Sequence, residues 1–111
     1  MDEAGFERHL AANGIAVLLD VWAPWCGPCR TMGPMFERAA AALEPQVRLL
    51  KLNADNAPNV TARLGVRGIP AMFLFRDGAL LAQQTGAMTD TDIVRWVRQA
   101  LAAPAQQAKA S

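Results

Sequence analysis

Hydrophobic positions divide the chain into strand-like and helix-like segments. The longest apolar run covers residues 15–22, Ile-Ala-Val-Leu-Leu-Asp-Val-Trp, and polar residues do not alternate within it. A strand without alternation is covered on both faces, so we expect this segment in the centre of a sheet. The same reasoning predicts three further strands, over residues 47–53, 71–75 and 79–85.

Apolar residues recur at helical spacing between these strands. We expect helices over residues 2–13 and 29–43, a short helix opened by Ala57-Pro58, and a last helix that begins at Thr89 or Asp90. Pro34 lies inside the second helix, where its missing N–H predicts a kink. Asp77-Gly78 is a strong hairpin signal between the last two strands.

The order helix, strand, helix, strand, helix, hairpin, helix predicts an α/β fold, in which a mixed sheet carries helices on both faces. The 111-residue length corresponds to one domain, which we place over residues 1–103. Residues 104–111 are rich in alanine and glutamine, and we expect them to form a flexible tail.

Charge and hydropathy disfavour several classes of partner. The net charge of +1 gives no basis for binding nucleic acid or an anionic membrane. No apolar run approaches the roughly 18 residues that a membrane span needs. The chain as given shows no secretory leader, and its two cysteines are too close together to staple a secreted fold. We therefore expect a cytoplasmic protein.

Cys26 and Cys29, the two cysteines of the chain, stand between a buried strand and a helix. A helix N-terminus stabilises a thiolate, so Cys26 is the predicted nucleophile and Cys29, inside the helix and more buried, the predicted resolving cysteine. The alternative is half of a zinc site, but zinc needs four ligands and His9 is the one other plausible donor. We therefore predict no metal, and a surface position without a partner for His9.

Asp20 is a lone carboxylate within the central apolar strand. Burial disfavours its charged form, so its pKa should rise toward the working pH. Such a group suits proton transfer, and we expect Asp20 to act as the general base for Cys29. The alternative is a strand-end acid exposed to water.

The segment Trp-Ala-Pro-Trp-Cys-Gly-Pro-Cys-Arg, residues 22–30, resembles the active-site signature of the thioredoxin family. The resemblance extends from about Phe6 to about Leu101. It implies the thioredoxin fold with one departure, because the usual N-terminal edge strand is absent. We therefore expect four strands, with the strand over residues 47–53 left at an edge. The signature is similar to that of the second bacterial thioredoxin type, without the N-terminal zinc module that such proteins often carry.

The resemblance also implies roles for individual residues. It places Lys51 near Asp20 as a modulator, and it makes the Ile69–Pro70 peptide bond cis, beside the cysteines. The substrate-binding residues that it implies are Trp25, Gly27, Pro28, Ile69, Pro70, Gly86 and Ala87. Trp22 and Pro34 are expected to be structural residues near the site.

The function implied is a thiol–disulfide oxidoreductase that reduces protein disulfides through a mixed disulfide. Thioredoxin reductase would recycle it with electrons from NADPH, no cofactor would be bound, and the protein would be a monomer. Two alternatives stay open. One is an exported or membrane-tethered domain of the same fold, and the other is a binding subunit whose redox chemistry is incidental.

Overall fold

The computed structural model describes residues 1–11 and 14–103. Asn13, where we expected the first helix to end, and the predicted tail over residues 104–111 lie outside the described residues. The helices are α1 (Glu3–Leu10), α2 (Gly27–Leu43), α3 (Pro58–Leu64) and α4 (Asp90–Ala102). The strands are β1 (Ala16–Trp22), β2 (Val47–Asn53), β3 (Ala71–Arg76) and β4 (Ala79–Thr85), and a 3-10 turn covers Ala54–Asn56.

The four strands form one mixed sheet in the order β2-β1-β3-β4. β1 runs parallel to β2 and antiparallel to β3, which continues through the predicted hairpin into β4. Asp77 and Gly78 at the hairpin tip both have positive φ, 52° and 80°, as a tight two-residue turn requires. The prediction of four strands is confirmed, and β2 lies at the edge of the sheet within the described part of the chain.

The free edge of β2 is partly closed by a side chain. The Leu49 N–H donates a hydrogen bond of 3.1 Å to Glu44 Oε2, from the residue that follows α2. Unpaired N–H groups at a sheet edge are templates for another chain, so a carboxylate that occupies one of them limits that pairing.

Two cores lie on opposite faces of β1, because successive side chains of a strand point to opposite sides. Leu18 belongs to the cluster that includes Phe36 of α2 and Val97 of α4. Val17 and Leu19 belong to the cluster that includes residues of α1 and α3. By the same alternation, Asp20 lies on the same face of β1 as Leu18. This face packs against α2, the helix that carries Cys29.

Two local predictions differ from the structure. α1 ends at Leu10, before the predicted Asn13, and α2 begins at Gly27, two residues earlier than predicted, because Cys26 serves as its N-cap. The prediction for His9 was wrong: it is half-buried, and its Nδ1 lies 3.0 Å from Arg48 Nη1. Sequence pattern could not reveal this pair, since its members are 39 positions apart. No helix of the described residues is long and apolar enough to cross a membrane.

Candidate active site

Cys26 and Cys29 form a disulfide at the N-terminus of α2, with their Cα atoms 5.2 Å apart. Cys26 has extended backbone angles, and its Sγ accepts a hydrogen bond of 3.2 Å from the Cys29 N–H. The Cys26 sulfur thus satisfies one of the backbone donors that a helix leaves open at its start. The first turn of α2 carries no acidic residue, so nothing there opposes a negative charge on this sulfur.

The two cysteines are equally buried in this oxidised form. Cys26 is 5% exposed and Cys29 is 4% exposed, so the predicted difference in burial is absent. They differ instead in position, because Cys26 precedes the helix and Cys29 lies in its first turn.

Gly27 and Pro28 form the exposed link between the sulfurs. Pro28 lies in the first turn of α2, where a helix has no use for the N–H that proline lacks. A Cβ atom at Gly27 would meet no atom within 4 Å beyond its neighbours in the chain, so the space beside Gly27 is open. A partner can approach the backbone closely at this point.

Two distant loops meet at the disulfide. The Ile69–Pro70 peptide bond is cis, as the resemblance implied, and the Ile69 carbonyl oxygen lies 3.8 Å from Cys26 Sγ. The Gly86 N–H donates a hydrogen bond of 2.9 Å to the Pro70 carbonyl oxygen. Gly86 has a φ of 104°, a conformation that favours glycine, and Ala87 follows it on the surface. The structure therefore brings the predicted substrate-binding loops together beside Cys26.

Trp25 is held over the surface by a hydrogen bond that the sequence did not reveal. Its indole Nε1–H donates to both carboxylate oxygens of Asp55, at 3.1 and 3.2 Å, while the residue stays 68% exposed. Asp55 lies in the 3-10 turn after β2, and the Asn53 side chain accepts from its N–H. An open groove of about 460 Å³ borders Trp25 and is lined also by Ile69.

Asp20 is buried in β1 and only 1% exposed. Burial raises its pKa from 3.8 to about 7, although the positive charge of Lys51 acts in the opposite direction. Its Oδ1 has no hydrogen-bond partner among the described residues. The alternative of a water-exposed carboxylate is therefore wrong, and the group titrates near neutral pH.

Lys51 is the register partner of Asp20 on β2. Its Nζ lies 4.9 Å from the centre of the Trp22 ring, in a cation–π arrangement. It also lies 4.0 Å from the point that a Cβ on Gly33 of α2 would occupy. Its ammonium group thus lies close to both β1 and α2, while the residue stays exposed.

The other predicted site residues occupy different surroundings. Trp22 is half-buried and packs, together with Ile69, against the cluster that contains both cysteines. Pro34 is exposed in the interior of α2 and does not belong to that cluster, and the kink that we predicted there stays a prediction. Residues 1–11 and 14–103 contain no group of three or more His, Cys, Asp or Glu side chains that could hold a metal ion.

Comparison with known proteins places this site in a family. The family model described as Thioredoxin matches residues 1–99. The chain belongs to the thioredoxin family. It is 35% identical over 99 residues to a thioredoxin of Haemophilus influenzae, covering 89% of this chain and 92% of the relative. It is also 38% identical over 97 residues to a thioredoxin of Rhodospirillum rubrum, covering 87% and 93% of the two chains. Thioredoxin 1 of Synechococcus elongatus is 37% identical over 91 residues, 82% and 85% of the two chains.

Membership of the thioredoxin family gives the Cys26–Cys29 pair its reaction. The chain is a protein-disulfide oxidoreductase that reduces disulfides through this dithiol. Thioredoxins bind no cofactor for the reaction. Disulfide-containing proteins and thioredoxin reductase are the general partners of the family.

Proposed function

We propose that Cys26 is the attacking thiolate of this thioredoxin and that Cys29 resolves the mixed disulfide. Cys26 attacks one sulfur of a substrate disulfide, and the other substrate sulfur leaves as a thiolate. Cys29 then loses its proton and attacks the Cys26 sulfur, which releases the second substrate sulfur as a thiolate. Two electrons pass to the substrate, and the protein is left with the Cys26–Cys29 disulfide.

One observation carries this assignment of roles. The Cys29 N–H donates to Cys26 Sγ at 3.2 Å, at the N-terminus of α2. The same amide and the partial positive charge of the helix end would stabilise a thiolate on Cys26 once the disulfide is reduced. Cys29 lies inside the first turn of α2, so its sulfur does not cap the end of the helix as the Cys26 sulfur does.

We propose that Asp20 is the base that accepts the proton from Cys29. The carboxylate is buried on the side of β1 that faces α2, and its pKa of about 7 allows it to exist in both protonation states near neutral pH. Lys51, its register partner, would adjust the balance between these states through its charge.

Substrate binding is assigned to the exposed surface around the disulfide. Trp25, Gly27 and Pro28 supply one side, and the loops containing Ile69, Pro70, Gly86 and Ala87 supply the other. The Ile69 backbone next to Cys26 suits pairing with an extended substrate chain. This surface offers little side-chain specificity, which suits many different protein disulfides.

The remaining features of the proposal concern the protein in its cell. Thioredoxin reductase would return the disulfide to the dithiol with electrons from NADPH. We propose that the protein works as a monomer in the cytoplasm, with residues 1–103 as its domain.

The test is NADPH consumption in the presence of thioredoxin reductase and insulin. The unmodified protein should support continuous turnover, and Cys26→Ser should abolish it. Cys29→Ser should accumulate a covalent mixed disulfide with insulin, visible on a non-reducing gel and released by dithiothreitol. A folded protein without turnover would contradict the proposal, and full function in Cys26→Ser would favour a binding subunit instead.

A further inference from the structure

Three neighbouring hollows, which we call the seam groove, follow the seam between α2 and α4, and Ala87 alone of their lining residues belongs to the site proposed above. Its first section has a volume of about 280 Å³ and is lined by Met35 and Met88, among others. Its middle section, of about 620 Å³, is lined by Arg38 and Arg98, among others. A third section, of about 320 Å³, shares Ala42 and Arg98 with the middle one.

The first section is lined by residues that are close in sequence to the proposed site. It is lined by Thr31, two positions after Cys29, and by Ala87, next to Gly86. Gly86 is bonded to Pro70, so this end of the groove adjoins the proposed substrate-binding surface. Met35 and Met88 are flexible apolar side chains of the kind that adapt to varied partners.

The middle section combines apolar surface with an excess of positive charge, because three arginines and one carboxylate, that of Asp90, line it. Ala42, Val94 and Ala102 supply apolar surface, and the guanidinium groups of Arg95 and Arg98 lie along it. Arg98 forms no salt bridge with a described residue.

Two other arginines along the seam are only loosely engaged. Arg38 pairs with Asp90 at 3.4 Å and Arg95 with Asp92 at 3.5 Å, and all four side chains are at least 36% exposed. Exposed pairs of this kind contribute little stability. Both guanidinium groups can therefore turn to an incoming carboxylate, which Arg binds well because of its planar fork of donors.

We propose that this seam docks an acidic segment of the disulfide substrate, next to the cysteine under attack. The inference rests on the proposed function, because the substrate disulfide must be at Cys26. Thr31 and Ala42 are eleven positions apart on α2, which is about 16 Å along a helix. An extended chain covers that distance in about five residues. The favoured substrate thus has an apolar residue near its cysteine and Glu or Asp roughly four to seven residues beyond it.

The test compares two synthetic disulfide peptides of the same length. Both carry leucine beside the cysteine, and one has three glutamates five to seven positions further on, where the other has three glutamines. We expect the reduced protein to react with the glutamate peptide roughly five-fold faster at low ionic strength, and the ratio to approach about one in 0.5 M salt. The charge-reversal variant Arg95→Glu/Arg98→Glu should lose this preference.

The matched control is Arg8→Glu/Arg76→Glu, which changes the net charge equally at two exposed positions outside the groove. It should keep the preference of the unmodified protein. Equal rates for the two peptides, or an equal loss of preference in both double variants, would overturn the proposal.

A second readout does not depend on disulfide exchange. Peptides with serine in place of cysteine are titrated against the protein by fluorescence anisotropy, and the glutamate form should bind roughly five-fold more tightly. If neither disulfide peptide is reduced while this binding difference persists, the proposed reaction fails and the docking groove stands. If both peptides are reduced alike and bind alike, the groove proposal alone is refuted.

Discussion

Asp20 and Lys51 face each other in the register of β1 and β2, yet the Lys51 ammonium lies over the Trp22 ring, 4.9 Å from its centre. The carboxylate keeps one oxygen without a hydrogen-bond partner among the described residues. Lys51 thus moderates the charge on Asp20 without neutralising it. Burial prevails over this attraction, and the pKa of Asp20 is raised to about 7.

The buried carboxylate makes the stability of the oxidised protein depend on pH. The pKa of Asp20 is about 7 when folded, against a usual value of 3.8. Between these values the folded state binds a proton that the unfolded state has lost, so stability falls as pH rises through this window. The full difference is about 4 kcal/mol. We expect Asp20→Asn to be more stable than the parent at pH 8.5, by up to this amount, and to lose its advantage by pH 3.5.

Urea denaturation at pH 3.5, 6 and 8.5 checks this prediction. The control is Glu37→Gln, which changes an exposed carboxylate on α2 and should shift all three values by less than about 0.5 kcal/mol. A constant difference between Asp20→Asn and the parent across the pH range would contradict the raised pKa.

Asp20 should also control the release of product. If it removes the Cys29 proton, Asp20→Asn should slow resolution of the mixed disulfide by roughly 10- to 100-fold at pH 7. The rate in the parent should follow a group with a pKa of about 7, and that dependence should vanish in the variant. Stopped-flow measurements with a preformed mixed disulfide at Cys26 isolate this step. Unchanged rates with an unchanged pH profile would remove Asp20 from the mechanism.

The hydrogen bonds from Trp25 to Asp55 should matter for protein substrates. Asp55→Ala removes both acceptors and frees an indole that is already 68% exposed. We expect KM for insulin to rise roughly two- to tenfold, because one hydrogen bond to a charged group is lost, with little change in kcat. Time-resolved fluorescence anisotropy should show faster motion of Trp25, measured in a Trp22→Phe/Trp96→Phe background because the chain has three tryptophans. The control Asn56→Ala alters the neighbouring exposed residue of the same turn and should leave KM unchanged.

Glu44 should protect the free edge of β2. Glu44→Ala removes the acceptor of the Leu49 N–H, so we expect the free energy of unfolding to fall by about 1 kcal/mol. The exposed donor should also increase self-association at high protein concentration. Denaturant titration and static light scattering measure the two effects. Glu37→Ala on α2 is the control, and an equal rise in scattering there would show that charge loss alone is responsible.

The sequence was sufficient for the elements and for the central chemistry. An apolar run without alternation predicted that both faces of β1 are covered, and Asp20 within it was therefore expected to be buried. Spacing placed the cysteines at a strand–helix junction, and Asp77-Gly78 predicted the hairpin. These features depend on neighbours in the chain, which pattern analysis can see.

Contacts between distant segments could not be predicted in this way. Asp55 is 30 positions from Trp25, and nothing around either residue marks them as partners. The contact of His9 with Arg48 depends on how α1 lies across the sheet. The start of α2 was missed because cysteine is a rare N-cap, and its sulfur takes the place of the usual hydroxyl or carboxylate.

A single backbone amide, the Cys29 N–H, links the chemistry of the site to the beginning of α2. Its acceptor is a disulfide sulfur in the oxidised protein and would be the Cys26 thiolate in the reduced protein that attacks the substrate, so the chemical shift of this proton should change with every turnover. The Cys29 resonance would thus act as a built-in spectroscopic reporter of redox state, readable without a dye or a label on either sulfur.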